Sequence, residues 1–186
     1  MKLIQSSVIA FAVFFAGTAS AAHFVIEEGH SSIQTKFKHV GISWLRGQFK
    51  SFSGSLEYDP ENVSASSVTV DIDTASIDSN HPTRDGHMRE ARHLDTEQYP
   101  TAKFVSTSVV DDGDGNMTVN GDFTLRGVTK EIAIEATISG EGDTRWNDYR
   151  MGFEGVTTID MRDFGVESFG PIHQVEITMF FEVIRQ

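Results

Sequence analysis

The chain has 186 residues, with 27 acidic against 15 basic, seven histidines and no cysteine, for a formal charge of −12 at pH 7. That balance argues against a nucleic-acid backbone as ligand, since such binding needs a basic surface for counterion release, and it disfavours attraction to an anionic membrane. Without cysteine there is no disulfide, no thiolate nucleophile and no thiolate metal site.

Residues 1–21 read as a cleavable secretory signal peptide. Lys2 supplies the positive start, the stretch from Leu3 to Phe15 is mostly apolar, and Ala19-Ser20-Ala21 is an A-x-A cleavage site. The apolar stretch falls short of the roughly 20 residues that span a bilayer. The expected mature chain, residues 22–186, is a single exported domain of charge −13, large enough to bury its own core. A periplasm-like compartment suits an exported domain that lacks disulfides.

Beyond the leader the pattern is one of strands. Ile33, Thr35 and Phe37 alternate with Gln34, Lys36 and Lys38; Leu45, Gly47 and Phe49 keep odd positions, and Phe52, Gly54, Leu56 and Tyr58 take even ones. The change of phase near Lys50-Ser51 predicts a bulge or sharp bend within a long strand pair. Val68, Val70 and Ile72 form the next strand. Further strands follow at 102–110, 117–125 and 130–139, then around Met151–Ile159, and finally through Val175, Ile177, Met179, Phe181 and Val183.

One segment, Thr74–Phe104, breaks the alternation. Asn80 or Thr83 is positioned to cap a short helix over about 82–93, Met88 and Ala91 share a face, and Arg89 and Arg92 suit the last turn. Tyr99-Pro100 then ends the segment. Phe180, next to Phe181, points away from the interior and is expected beneath that helix. About eight strands joined by short turns predict an all-β, antiparallel, eight-stranded up-and-down barrel. Such a barrel either fills with side chains or holds one small ligand. The eleven phenylalanines beyond residue 21, mostly on the inward phase, fit either outcome.

Several motifs occur together and in order. They are His39-Val-Gly-Ile-Ser-Trp44 with Gly47-x-Phe49; Ser76-Ile-Asp-Ser-Asn80-His81-x-x-Arg84-Asp85-x-His87-Met88-Arg89; and Leu94-Asp95 with Tyr99-Pro100-x-Ala102-x-Phe104. Gly121-Asp-Phe-Thr-Leu125-x-Gly127-Val-Thr-Lys130, Gly152-Phe153-Glu154 and Asp163-Phe164-Gly165 complete the set. In this combination the chain resembles the YceI-like family of exported, lipocalin-like proteins over essentially its whole mature length. Glu131 stands where that family often has proline, and Phe123 where leucine is frequent. The resemblance implies a long barrel with a helix over it and an elongated apolar pocket for a polyprenyl lipid, a quinone or another long amphiphile. A homodimer is compatible with it.

Alternation assigns Phe37, Trp44, Phe49, Phe52, Leu56, Val70, Phe104, Phe123, Ile134 and Phe153 to the lining, either as core or as ligand contacts. Met88 and Met151 are flexible enough to follow an irregular tail. Asn80, His81, Arg84, Asp85 and His87 are the candidates to meet a head group, Arg84 best suiting a phosphate or quinone oxygen. The competing reading makes Arg84 and Asp85 structural, fixing the helix to the barrel rim.

Other chemistries have weaker support. His81, Asp85, His87 and His93 offer zinc-ligand types, but not at a recognised zinc spacing. Asp112-Gly-Asp114-Gly-Asn116 lacks the glycine and acid that a calcium loop needs, so it reads as a hairpin turn. There is no nucleophile elbow and no phosphate-cradling loop. The expected protein is therefore not an enzyme and carries no cofactor. The alternatives are an exported partner-binding scaffold and, more remotely, a metal-dependent hydrolase built on the His/Asp cluster.

Overall fold

The computed structural model describes residues 21–167 and 173–186. Apart from Ala21, the expected leader lies outside the described residues. In chain order come β1 (Ala22–Ile26), β2 (Ser32–His39), β3 (Ser43–Phe49), β4 (Phe52–Tyr58), β5 (Ser67–Asp73), the two-residue β6 (Ile77–Asp78) and the helix α1 (Pro82–Arg89). They are followed by β7 (Thr101–Gly113), β8 (Asn116–Leu125), β9 (Val128–Asp143), β10 (Tyr149–Asp160) and β11 (Gln174–Arg185).

Neighbouring strands run antiparallel in the order β1-β4-β5-β7-β8-β9-β10-β11, and β1 pairs back onto β11, so the expected eight-stranded barrel is closed. Closure leaves that ring without a free edge. β2 pairs with the first half of β11 and β1 with the second, so β1 and β2 act as one long strand broken at Glu28–His30. β4 and β3 form its partner, broken at Lys50-Ser51 where the phase changes. At the first break, Ser31 replaces the missing ladder: its Oγ accepts from Glu182 N at 3.0 Å and lies 3.3 Å from Glu182 O.

β1 is the strand the alternation does not announce. Its two inward residues, Phe24 and Ile26, follow directly on the apolar leader, which masks their period. The interior is sealed by Phe24, Ile33, Met151, Phe164 and Val183, each at most 1 % exposed.

The turns follow their sequences. Asp114-Gly115 and Arg126-Gly127 both have positive φ at the two central positions, the left-handed geometry that matches strand twist in tight hairpins. Val40-Gly41, between β2 and β3, shares it, with Val40 at φ 44°. A β-branched side chain is strained there by roughly 1–2 kcal/mol. Val40→Asn is therefore expected to raise the melting temperature by about 2–4 °C, as calorimetry would register; an unchanged or lower value would contradict the strain.

The helix is shorter than the sequence suggests. Its N-cap is His81, whose Nδ1 accepts from Arg84 N at 3.2 Å, with Pro82 as the first helical residue. Asn80, expected as a possible cap, instead takes the left-handed turn before it at φ 62°, a conformation asparagine tolerates. The helix ends at Arg89 rather than near 93. Leu94 N bonds back to Met88 O at 3.0 Å as the chain dips inward to bury His93 and Leu94, which a continuing helix could not do. Arg92 therefore lies beyond the last turn. Arg89 anchors the helix, donating to Ala75 O and Ile77 O at 2.8 and 2.9 Å. Phe180 is on the outer face of β11, 39 % exposed, and not beneath the helix, which contacts β6.

Candidate ligand-binding cavity

The inward faces of the strands do not fill the barrel. They enclose a cavity of about 240 Å³, far larger than the roughly 10–15 Å³ that admits one water molecule. Nine of the twelve expected lining residues border it: Phe37, Phe49, Leu56, Val70, Met88, Phe104, Phe123, Ile134 and Phe153. Phe123, in place of the family's frequent leucine, does point inward, and its ring meets Phe164 edge-on at 5.5 Å. Ile72, Val119 and the odd-phase residues Ile177, Met179 and Phe181 of β11 add to the wall.

Three expected lining residues are elsewhere. Trp44 shares the even phase of Arg46 and Gln48, opposite to Leu45, Gly47 and Phe49, so it projects outward and is 52 % exposed. Phe52 and Met151 are inside but packed away from the cavity: Phe52 stacks on Phe181 with centroids 5.9 Å apart, and Met151 pairs across from Val183 where the interior is solid.

The head-group candidates are also displaced, since none of the five borders the cavity. Asp85 is buried, and its carboxylate accepts from Ser79 N at 2.9 Å and from Ser79 Oγ. Arg84 donates from Nε to Ser79 Oγ at 2.7 Å and from Nη2 to Ser79 O at 2.6 Å. These two charged groups clamp the helix entry to the strand before it, as buried charges require. Asn80, His81 and His87 are exposed. Among the described residues, His81, Asp85, His87 and His93 do not converge at metal-ligand distances; the one such group is Glu27, His30 and Glu182. There the guanidinium of Arg150 already sits 2.5 Å from Glu182 Oε1.

The polar groups that do reach the cavity come from other elements. Lys38 and His39 at the end of β2, with His93, Glu167 and His173, border it at the end where β10 passes to β11. His39 continues the odd phase of Ile33, Thr35 and Phe37, a signal present in the sequence; His93 and Glu167 meet only through tertiary packing. His93 Nδ1 lies 2.7 Å from Glu167 O, and because a carbonyl only accepts, that nitrogen carries a proton. Glu57, Tyr58, Ser66 and Ser67 contribute farther along the wall. Burial, followed by the charges of Glu141 and Asp111, pushes the Tyr58 phenol above its usual range, so it stays neutral and able to donate.

Asp160 braces the mouth. Its carboxylate accepts from Arg162 N at 3.0 Å and pairs with the Arg162 guanidinium, which holds it down at about 2. It thereby caps the turn Met161–Phe164, and Met161 borders the cavity. Because the folded value lies below the ordinary carboxylate range, this contribution is present above about pH 4 and is lost as the pH falls through about 2. Asp160→Asn is expected to flatten the fall in urea-unfolding stability between those pH values; an unaltered acid limb would show that the pair contributes nothing.

Residues 24–183 match the model of the YceI-like domain family. A UPF0312 protein of Vibrio cholerae serotype O1 is 41 % identical over 187 residues, covering 100 % of this chain and 99 % of the relative. The fold is shared with the crystal structure of BcnA from Burkholderia cenocepacia (TM-score 0.77, 23 % identity, 84 % of this chain and 98 % of that one). It is also shared with a domain from Saccharophagus degradans described as polyisoprenoid binding and implicated in plant cell wall breakdown (TM-score 0.65, 17 % identity, 89 % and 99 %). Motif order, closed barrel and family match converge: this chain belongs to the YceI-like domain family.

Proposed function

We propose that this protein sequesters or carries one isoprenoid-type amphiphile, a polyprenyl lipid or a quinone, with the tail in the barrel and the head at the polar rim. The observation that carries this reading is the cavity wall, built mainly of aromatic and branched aliphatic side chains. Moving an isoprenoid tail there from water is favourable by roughly 0.8 kcal/mol for each CH₂-sized group buried. The description of the Saccharophagus domain supports the same ligand class. The mechanism is sequestration: the tail is buried against the apolar wall and exchanges through the polar rim. The sequence of residues 1–21, which reads as a cleavable leader, supports a periplasmic place of work.

The test is native mass spectrometry of protein purified from its own exported fraction, followed by solvent extraction and lipid mass analysis. A one-to-one adduct with isoprenoid fragmentation is expected. A clean apo mass, with no uptake of offered quinones or polyprenols, would overturn the reading.

A further inference from the structure

The turn joining β2 to β3 exposes apolar surface that the barrel does not use. Ile42 is 82 % exposed, Trp44 52 % and Val40 50 %. The register places Lys36 opposite Arg46 and Lys38 opposite Trp44, so cations and indole share the outer face of this ribbon. The ammonium groups of Lys36 and Lys38 lie 4.7 and 4.4 Å from the Trp44 ring centroid.

The local charge opposes that of the whole chain. From Ser31 to Leu56 there are four cations and no acid, in a protein of net charge −12. Lys36 and Lys50 pair with Glu176 and Asp78; among the described residues, Lys38 and Arg46 make no ion pair. At the opposite end of the barrel, the tips of the β7–β8 and β9–β10 hairpins carry Asp111, Asp112, Asp114, Asp143 and Asp148 against the two cations Arg145 and Arg150. Near a negative surface this gradient favours presenting the β2–β3 tip, because Glu176 and Asp160 on its own side are held in ion pairs with Lys36 and Arg162.

We infer that the β2–β3 tip docks on an anionic lipid bilayer, with Val40, Ile42 and Trp44 entering the interface and Lys38 and Arg46 meeting the headgroups. An indole at headgroup depth flanked by cations is the arrangement such surfaces favour. The fit is one of charge as well as polarity, and it resolves the apparent conflict with the acidic chain, whose total charge hides a basic strip. Lys38, His39 and Val40 also border the cavity, so docking sets the cavity mouth against the membrane. As a route for lipid exchange, this rests on the carrier reading above; as a surface, it does not.

The experiment is co-sedimentation of the mature chain with phosphatidylglycerol/phosphatidylethanolamine vesicles and with neutral phosphatidylcholine vesicles. A Trp146→Phe background makes Trp44 the sole tryptophan and a fluorescence reporter. Binding to the anionic vesicles alone is expected, with a blue-shifted Trp44 and about fivefold weaker binding for Arg46→Gln. Ile42→Asp is expected to abolish the shift, and both variants keep the wild-type melting temperature and ligand uptake from detergent. No sedimentation, equal binding to neutral vesicles, variants that bind like wild type, or a solution dimer that buries Trp44 would each overturn the inference. Docking that survives in a protein unable to take up any lipid would overturn the carrier reading and leave the docking surface standing.

Discussion

Ala136→Trp is expected to weaken ligand uptake by about a hundredfold while leaving the protein folded. Ala136 is on the inward phase of β9 with Ile132, Ile134 and Ile138, and it borders the cavity. Its neighbours across the strands are Met117 and Gly155. An indole at this position has a volume of about 240 Å³ of free space to enter, so it displaces ligand rather than core. Loss of about 3 kcal/mol of tail burial weakens binding roughly a hundredfold. Because no packed side chain has to move, the melting temperature should stay within about 3 °C of wild type. Native mass spectrometry with offered quinone reads the first effect and calorimetry the second. Undiminished uptake by a folded variant would place the ligand outside the barrel.

Gly121→Val should have the opposite signature, a large loss of stability. A Cβ built on Gly121 would lie 2.5 Å from Val105 O and 2.5 Å from Phe104 Cζ. The Val105 carbonyl is backbone fixed in the β7–β8 pairing, so it cannot yield even where the Phe104 ring moves towards the cavity. Overpacking of this kind costs about 3 kcal/mol, a fall of roughly 6–12 °C in melting temperature for a chain of this size. Gly140 and Gly142, on the same sheet, have nothing within 4 Å of a built Cβ. Alanine there is expected to be neutral or slightly stabilising. If Gly121→Val melts with the wild type, the β7–β8 backbones are not held as close as this pairing requires.

The tight hairpins and the strand faces were legible because their causes are local. A period of two assigns each side chain to a face, and Asp114-Gly115 and Arg126-Gly127 carry the turn chemistry in two residues. Trp44, expected in the lining, is the misassigned phase: its even position places it with Arg46, outside. The ordered motifs also carried the family, since their combination spans the chain.

What the sequence by itself determined is therefore an all-β barrel with one helical insertion and an interior of aromatic and branched residues. The tertiary structure decided which interior residues pack and which leave space. Phe52 and Phe49 both point inward, yet only Phe49 meets the cavity, because Phe181 from a distant strand covers Phe52. It also decided the role of the helix-entry charges. Arg84 and Asp85 are engaged by Ser79, five and six residues away, while His93 and Glu167, 74 residues apart, meet at the cavity. Periodicity specifies a direction for each side chain, but only the closed arrangement of strands fixes what stands opposite it, and a cavity or an ion pair depends on both.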